Sequence, residues 1–149
     1  MERTEKVILT NMCIVYDGSK ILVQEKVGKG FKGITFPGGH VDENEPIVDS
    51  VIREIKEETG LTIKTPGLCG VKDWLEQDGT RYMVFLFKTN HFSGTLQSSE
   101  EGKVFWVEAS EAKKLATMWH FEEMLKLANS GDYSEIFLDP TDNWKPVLK

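Results

Sequence analysis

The sequence predicts an α/β protein in which a central mixed β-sheet lies between helical layers, an α/β/α sandwich. Strand-like segments of β-branched and apolar residues recur along the chain, and between two of them lies a segment with the apolar stripe of an amphipathic helix. One strand-like segment, residues 81–88, is apolar on both faces. Such a strand is typical of a sheet that is covered on both sides.

Length and composition limit the protein class. A chain of 149 residues, 40% of them apolar, has the usual size of one domain, so we expect a single domain over residues 1–149. The longest apolar run, 82–87, is far shorter than the roughly 18 residues of a membrane span. Residues 1–6 lack the apolar stretch of a secretory signal, which predicts a cytoplasmic protein. In that compartment Cys13 and Cys69 are expected to be free thiols.

Most of the net charge of −6 lies in one stretch. Residues 42–58 include seven acidic and two basic residues, and the rest of the chain is nearly neutral. An acidic chain without a basic face is a poor candidate for binding nucleic acid or an anionic membrane surface. The stretch is either a site for cations or a solvated, charged helix face.

The first half of the chain contains two strands and the clearest helix. Residues 7–16 and 20–26 are predicted strands, joined by the turn Asp17-Gly18. After a short apolar run at 34–36, Pro37-Gly38-Gly39 is expected to end any regular element. A helix is predicted over 45–59, since its apolar residues form one stripe: Ile47, Val48, Val51, Ile52 and Ile55. Gly60 is placed to end this helix.

The second half of the chain continues the sheet. Strands are predicted at 62–75, with a break at Pro66-Gly67, and at 81–88, 104–107 and 133–138. Helical signals run with an interruption from Ser110 to about Ala128, and residues 93–102 are predicted to form a loop.

One motif is specific enough to indicate chemistry. It starts at Gly39, continues after five residues with Glu45, and ends after seven more with the run Arg53-Glu54-Ile55-Lys56-Glu57-Glu58-Thr59-Gly60-Leu61. This is the Nudix box, Gx5Ex7REUxEExGU with U aliphatic, complete from Gly39 to Leu61. Average residue frequencies put a chance match at odds on the order of one in a million. The chain therefore resembles the Nudix hydrolases, and specifically their small MutT-like members.

The box also makes physical sense on a helix. Glu54, Glu57 and Glu58 fall within an arc of roughly 100° beside the apolar stripe. Three carboxylates on a partly buried edge repel one another unless a cation is bound. Hard divalent ions favour all-oxygen sites, which makes Mg²⁺ the natural candidate and Mn²⁺ a substitute.

The resemblance implies a Nudix-type α/β/α sandwich and a pyrophosphohydrolase. It implies that Glu57 and Glu58 are metal ligands, that the Gly39 carbonyl is another, and that Glu54 is a ligand or the base that activates water. Arg53 either orients a carboxylate, as the resemblance favours, or is an ordinary i,i+4 partner of Glu57 or of Asp49. Glu54, Arg53 and Glu57 are therefore the expected catalytic residues.

A fourth carboxylate is expected outside the box. Two or three Mg²⁺ ions bring more positive charge than three glutamates neutralise. Related Nudix enzymes place an acid in the loop before a short strand that ends in tryptophan, which corresponds here to Trp106. We expect Glu101 rather than Glu100 to be this metal ligand; the alternative is that both are solvated loop acids.

Substrate-binding residues are less sharply indicated. Gly38 flanks the box, and Lys26, with Lys29 and Lys32, is either a phosphate ligand or a solvated loop lysine. A nucleobase needs a flat apolar slot, and we expect Trp119 to contribute to it, with Phe121, Trp74 and Tyr82 as the other aromatic candidates. His40 is expected to be structural. His91 and His120 lack metal-ligand spacing and are expected to be surface or packing residues.

Elimination favours a nucleoside triphosphate as the substrate. The marks of ADP-ribose and coenzyme A hydrolases are absent, and the tyrosine of dinucleoside polyphosphate hydrolases is displaced to Tyr82. The expected reaction yields a monophosphate and pyrophosphate, with oxidised purine nucleotides such as 8-oxo-dGTP among the candidates. Hydrolysis of a dinucleoside polyphosphate or nucleotide sugar, or a non-catalytic nucleotide-binding regulatory module, remains an alternative. Either a monomer or a homodimer is expected.

Overall fold

The computed structural model describes residues 2–28 and 30–149, with the side chain of Phe31 left aside. Met1 and Lys29, the latter one of the three lysines predicted near phosphates, lie outside the described residues. The elements follow in this order: β1 (Val7–Asp17), β2 (Lys20–Gly28), β3 (Phe31–Thr35), β4 (Gly38–His40), α1 (Ile47–Thr59), β5 (Leu61–Ile63), β6 (Gly67–Leu75), β7 (Arg81–Thr89), β8 (Phe92–Gly94), β9 (Gly102–Glu108), α2 (Ala109–Ala112), α3 (Phe121–Ser130), β10 (Glu135–Asp139) and β11 (Lys145–Leu148).

The strands form a large mixed sheet, as predicted. Its order is β11-β10-β6-β7-β1-β2-β3, with β4 paired to β1 and β9 paired to β2. The pairs β1·β7 and β6·β10 are parallel, whereas β1·β2, β2·β9 and β6·β7 are antiparallel. A separate two-stranded sheet joins β5 and β8.

Two hydrophobic clusters cover the two faces of the large sheet. Val51 and Ile55 of α1 belong to one cluster, together with Cys13 of β1 and Phe87 of β7. In the other, α3 residues such as Phe121, Met124 and Leu127 pack with Ile14 of β1 and Leu86 of β7. Successive residues of β1 and β7 thus enter opposite clusters, which confirms the α/β/α arrangement and the strand buried on both sides.

The helix of the box is two residues shorter than predicted. It begins at Ile47 instead of 45, because Pro46 is extended at the N-cap. It ends as predicted at Gly60, whose left-handed backbone (φ 79°) directs its N–H to the Lys56 carbonyl oxygen. Val48, assigned to the buried stripe, is 43% exposed, so the stripe prediction is wrong at this residue.

Four short strands were not predicted, namely β3, β4, β8 and β11. Pro37-Gly38-Gly39 was expected to end regular structure, yet Gly38 and Gly39 pair with Met12 and Asn11 of β1. A Cβ atom on Gly38 would lie 2.0 Å from the Asn11 carbonyl oxygen, so glycine is what permits this pairing. Part of the predicted loop 93–102 belongs to β8, and β11 closes the sheet edge beside β10.

Both cysteines are free thiols, as predicted, and Cys13 is buried. Burial raises the pKa of the Cys13 and Cys69 thiols. In the part of the chain that the structure describes, no helix has the length and hydropathy needed to cross a membrane.

Candidate active site

A cavity of about 690 Å³ lies where α1, β4 and the loop before β9 meet the large sheet. We call one part of its lining the acidic wall, formed by Glu54, Glu58 and Glu101. We call another part the aromatic wall, formed by Lys72, Trp74, Tyr82, Trp119 and His120. Most of the residues predicted to bind metal thus line the same cavity as residues predicted to bind a base. The exception is Glu57, which is exposed and is not among the residues that line the cavity.

Glu58 is the most deeply buried carboxylate of the box, with 3% exposure. Its Oε2 atom accepts a hydrogen bond of 2.8 Å from the Gly38 N–H group. Burial raises the pKa of Glu58 to about 7, against the lowering effects of the Gly38 hydrogen bond and the Lys26 charge. A carboxylate kept in so dry a position is stabilised by a bound cation.

Glu54 lies against the backbone of Gly39. A Cβ atom on Gly39 would come within 2.3 Å of the Glu54 carboxyl carbon, so a residue with a side chain would displace this carboxylate. Burial raises the pKa of Glu54, and Arg53 opposes that shift. The Asn11 side chain holds this corner together, since it accepts from the Gly39 N–H and donates to Ser50 of α1.

Arg53 contacts several carboxylates at once. Its Nε and Nη2 atoms donate to the two oxygens of Glu45 at 2.8 and 3.0 Å, which is a bidentate pair. Its Nη1 donates to Glu54 at 3.0 Å and to Glu57 at 3.3 Å, and its Nη2 also reaches the His40 carbonyl oxygen at 3.0 Å. Arg53 is therefore both an i,i+4 partner of Glu57 and a group that orients Glu54.

Glu101 extends the acidic wall from outside the box. Lys26 Nζ lies 3.5 Å from its Oε2 atom, and both residues line the cavity. Lys26 Nζ also lies 5.9 Å from the ring centre of Trp119, so Lys26 is located between the acidic and aromatic walls. Glu100 is exposed and is not among the residues that line the cavity.

Changing Glu101 to Gln is expected to raise the Mg²⁺ concentration needed for half-maximal activity and to lower the maximal rate. The side chain is 59% exposed, so the loss of its charge affects the cation far more than folding. Glu100→Gln is the matched control and should do little. A metal titration of both variants checks this, and equal curves for Glu101→Gln and the unmodified protein would contradict it.

Gly38 lines the cavity, but its N–H group is already donated to Glu58. A substrate contact by Gly38, as predicted, would therefore have to come from its carbonyl oxygen. Of the aromatic candidates, Trp119, Trp74 and Tyr82 line the cavity, and the last two stack with ring centres 4.5 Å apart. Phe121 is 1% exposed in the core and stacks on Phe36 instead.

Two residues of the aromatic wall escaped the sequence prediction. Lys72 is 4% exposed, and its Nζ donates to the Trp119 carbonyl oxygen at 2.6 Å. Burial lowers the pKa of Lys72 to about 8. His120 was expected to be a surface or packing residue, and it lies half-buried in the cavity wall. The alternation of β6, which puts Lys72 on the same face as Trp74, was the available signal.

The acidic wall fits a divalent cation by its chemistry. Within residues 2–28 and 30–149, no three His, Cys, Asp or Glu side chains are already gathered around one point as a metal site. Arg53 draws Glu54 and Glu57 to itself, and the Gly38 N–H holds Glu58. The donors of the acidic wall are nevertheless all hard oxygens, which suit Mg²⁺ or Mn²⁺. One of these donors, Glu58, is buried and has no ion-pair partner among the described residues.

Comparison with known proteins identifies the family. The family model described as the NUDIX domain matches residues 8–127. The uncharacterized Nudix hydrolase YvcI of Bacillus subtilis strain 168 is 34% identical over 108 residues, which cover 69% of this chain and 67% of YvcI. An ADP-ribose pyrophosphatase of Methanocaldococcus jannaschii is 34% identical over 92 residues, covering 60% of this chain and 54% of that protein.

A third relative, the phosphatase NudJ of Escherichia coli K12, is 32% identical over 79 residues, or 53% of this chain and 52% of NudJ. The match thus spans about half the length of the last two relatives.

Solved structures agree with this assignment. A MutT protein from Bacillus halodurans has a TM-score of 0.72 and 25% identity, covering 94% of both chains. The NUDIX domain of Shewanella oneidensis NrtR, solved with ADP ribose, has a TM-score of 0.68, and the match covers 87% of this chain and 89% of the NrtR chain. At 13% identity, this likeness shows the fold alone. The chain belongs to the Nudix hydrolase family, whose members are pyrophosphohydrolases that act on nucleoside diphosphate derivatives and generally need a divalent metal.

Proposed function

We propose that the chain, as a single domain over residues 1–149, is a Mg²⁺-dependent hydrolase of nucleoside triphosphates that releases a monophosphate and pyrophosphate. Oxidised purine nucleotides such as 8-oxo-dGTP are among the candidate substrates. One observation carries the proposal: the buried carboxylate of Glu58 and the partly buried carboxylate of Glu54 line the same cavity as Trp74 and Trp119. The cavity therefore offers donors for a cation and its phosphates together with aromatic surfaces for a base.

We assign to the site residues the roles that membership of the family implies. Glu57, Glu58 and the Gly39 carbonyl would hold the cation, with Glu101 as an outer ligand. A bound Mg²⁺, or Mn²⁺ in its place, would neutralise phosphate charge and lower the pKa of a bound water. Arg53 is a positioning residue, because it acts through the carboxylates that it orients.

Glu54 is either a further ligand or the base that takes a proton from the attacking water. The reaction adds water across a phosphoanhydride bond: one P–O bond forms, one breaks, and the leaving phosphate takes the electron pair. Lys26, close to both walls, would offset charge on the phosphates.

A second candidate function is hydrolysis of a nucleotide sugar such as ADP-ribose. The similarity to the Methanocaldococcus jannaschii enzyme favours it. This second reaction would use the same acidic wall as triphosphate hydrolysis. The two reactions differ in the group that is attached to the diphosphate and that the cavity must hold.

A substrate panel distinguishes these functions. It contains ordinary and oxidised nucleoside triphosphates, dinucleoside polyphosphates and nucleotide sugars, with pyrophosphate and phosphate assayed separately in Mg²⁺, Mn²⁺ and chelator. We expect pyrophosphate from triphosphates in Mg²⁺ and no turnover in chelator. Comparable or faster turnover of ADP-ribose would replace the first proposal with the second, and nucleotide binding without any turnover would indicate a regulatory module.

A further inference from the structure

The aromatic wall contains a buried cation that metal and phosphate chemistry do not use. The Nζ atom of Lys72 donates to the Trp119 carbonyl oxygen at 2.6 Å and lies 5.8 Å from the ring centre of Trp74. No carboxylate in residues 2–28 and 30–149 lies within 4.0 Å of it. An ammonium group has three N–H donors, so two more are available to a molecule in the cavity.

His120 adds a polar atom of the opposite kind. Its Nδ1 atom is buried and has no hydrogen-bond partner in the described part of the chain. Burial and the nearby Lys72 charge lower the pKa of His120, which favours the neutral ring. In the neutral tautomer that carries its proton on Nε2, Nδ1 is an acceptor. An unpaired buried acceptor is costly unless a ligand satisfies it.

The backbone that presents His120 is unusual. Trp119 and His120 both have left-handed backbone angles, with φ of 58° and 64°, a conformation that few residues other than glycine adopt. The Lys72 hydrogen bond to Trp119 and the hydrogen bond from Met118 N–H to the Ile34 carbonyl hold this turn in place. Strained backbone that the surrounding contacts maintain is often found at ligand sites.

We propose that Lys72 and His120 together recognise the lactam edge of an oxo nucleobase. A lactam edge is a ring carbonyl oxygen next to a ring N–H, as in hypoxanthine, guanine and uracil. The carbonyl oxygen accepts from Lys72, and the ring N–H donates to His120 Nδ1. This inference rests on the proposed function, because it takes the cavity as a nucleotide site.

Adenine and cytosine present the reverse pattern. Their amino group is a donor that faces the Lys72 ammonium, and their ring nitrogen is an acceptor that faces His120 Nδ1. The His120 Nδ1 atom and the two remaining N–H donors of Lys72 are then left without a partner on the base. Sites that hydrogen-bond a substrate group discriminate strongly against analogues lacking it. Stacking on an aromatic ring does not distinguish one base from another, so the selection depends on the two polar groups.

The test compares pairs of nucleotides that differ mainly at this edge: ITP with ATP, and UTP with CTP. We expect kcat/KM to be at least about tenfold higher for the oxo member of at least one pair. Preference within the purine pair alone, or within the pyrimidine pair alone, identifies the ring size and supports the proposal. Equal rates within both pairs would overturn it.

Substitution of Lys72 links the preference to this residue. Lys72→Met should lower the oxo-to-amino ratio clearly below that of the unmodified protein, leaving only the preference that His120 contributes. Lys88→Met is a matched control, since Lys88 is half-buried on β7, donates to the Ala128 carbonyl oxygen at 2.9 Å and is not among the cavity residues. The control should keep the ratio of the unmodified protein, and an unchanged ratio in Lys72→Met would overturn the proposal.

Substitution of His120 must respect its left-handed backbone. Asparagine and glycine both tolerate that conformation, so His120→Asn and His120→Gly are suitable variants. Asparagine retains an acceptor oxygen near the position of Nδ1, and it should keep part of the preference that glycine loses. If both variants have the same oxo-to-amino ratio as the unmodified protein, His120 does not take part in recognition of the base.

Equilibrium binding of IMP and AMP separates this inference from the proposed function. Tighter binding of IMP without turnover of any triphosphate would support base recognition and overturn the hydrolase proposal. Turnover of a triphosphate together with equal binding of IMP and AMP would support the hydrolase proposal and overturn base recognition. Absence of both binding and turnover would overturn both.

Discussion

Replacement of Glu58 or Glu57 with glutamine is expected to lower turnover at least about a hundredfold while the fold is retained. The amide oxygen of glutamine can still accept the hydrogen bond that Gly38 donates to residue 58, so the geometry survives but the charge does not. Glu57 is 58% exposed, and its loss removes little packing. For Glu58, the variant also removes the free-energy cost of a buried carboxylate, so its metal-free form should be at least as stable as the unmodified protein.

The measurements are steady-state turnover in Mg²⁺ and in chelator, and thermal unfolding without metal. Glu122→Gln is the matched control, because Glu122 is exposed on α3 and does not line the cavity. Chelator should abolish turnover and added Mg²⁺ should restore it. Unchanged turnover in both Glu57→Gln and Glu58→Gln would remove these residues from the site.

The variant Arg53→Lys is expected to lower kcat at least about tenfold and to raise the Mg²⁺ concentration needed for half-maximal activity. Lysine keeps the charge, but it has one compact ammonium group in place of a planar fork. It cannot contact both oxygens of Glu45 while also donating to Glu54 and Glu57, as Arg53 does. The carboxylates would therefore lose their fixed orientation. If Arg53 only stabilised the fold, its replacement would not change the Mg²⁺ concentration needed for half-maximal activity.

Arg81→Lys provides the comparison for this prediction. Arg81 also bridges two acids, Glu5 and Asp73, and it does not line the cavity. Its replacement should change thermal stability without changing the metal titration. The positioning role of Arg53 is wrong if Arg53→Lys and Arg81→Lys have the same kcat and the same metal requirement.

The parts of the site that sequence could predict depend on local geometry. Glu54 and Glu58 share an edge of α1 because helical periodicity brings them there, and the box itself marks Gly39. The close approach of Gly39 to Glu54 depends instead on the pairing of β4 with β1. This strand could not be predicted locally, because Pro37 and the two glycines after it are typical of a turn. Likewise, Val48 fits the apolar stripe, but nothing packs over it sufficiently to bury it.

Lys72 and His120 show why the rest of the cavity could not be predicted. A lysine in a strand is ordinarily exposed, and Lys72 becomes buried only because the turn at Trp119, distant in sequence, lies over it. The position of His120 follows from a turn with left-handed backbone at residues 119 and 120. Such a turn is ordinarily predicted from a glycine, and neither of these residues is glycine. In both cases tertiary contacts between distant segments decide burial. The alternation of β6 places Lys72 on the face of Trp74, but it does not show that another segment covers that face.

The parallel pairing of β1 with β7 has a consequence for how the chain reaches this structure. Val7 pairs with Arg81 and Val15 with Thr89, and Lys26 of β2 likewise pairs with Gly102 of β9. These central pairings must close long loops before they gain any contact, which is typical of slow folding on the scale of milliseconds to seconds. During synthesis, the apolar strands β1 and β2 leave the ribosome well before β7 and β9, and the edges that these strands later cover remain open to aggregation. Refolding at high protein concentration should therefore be less efficient than refolding at low concentration.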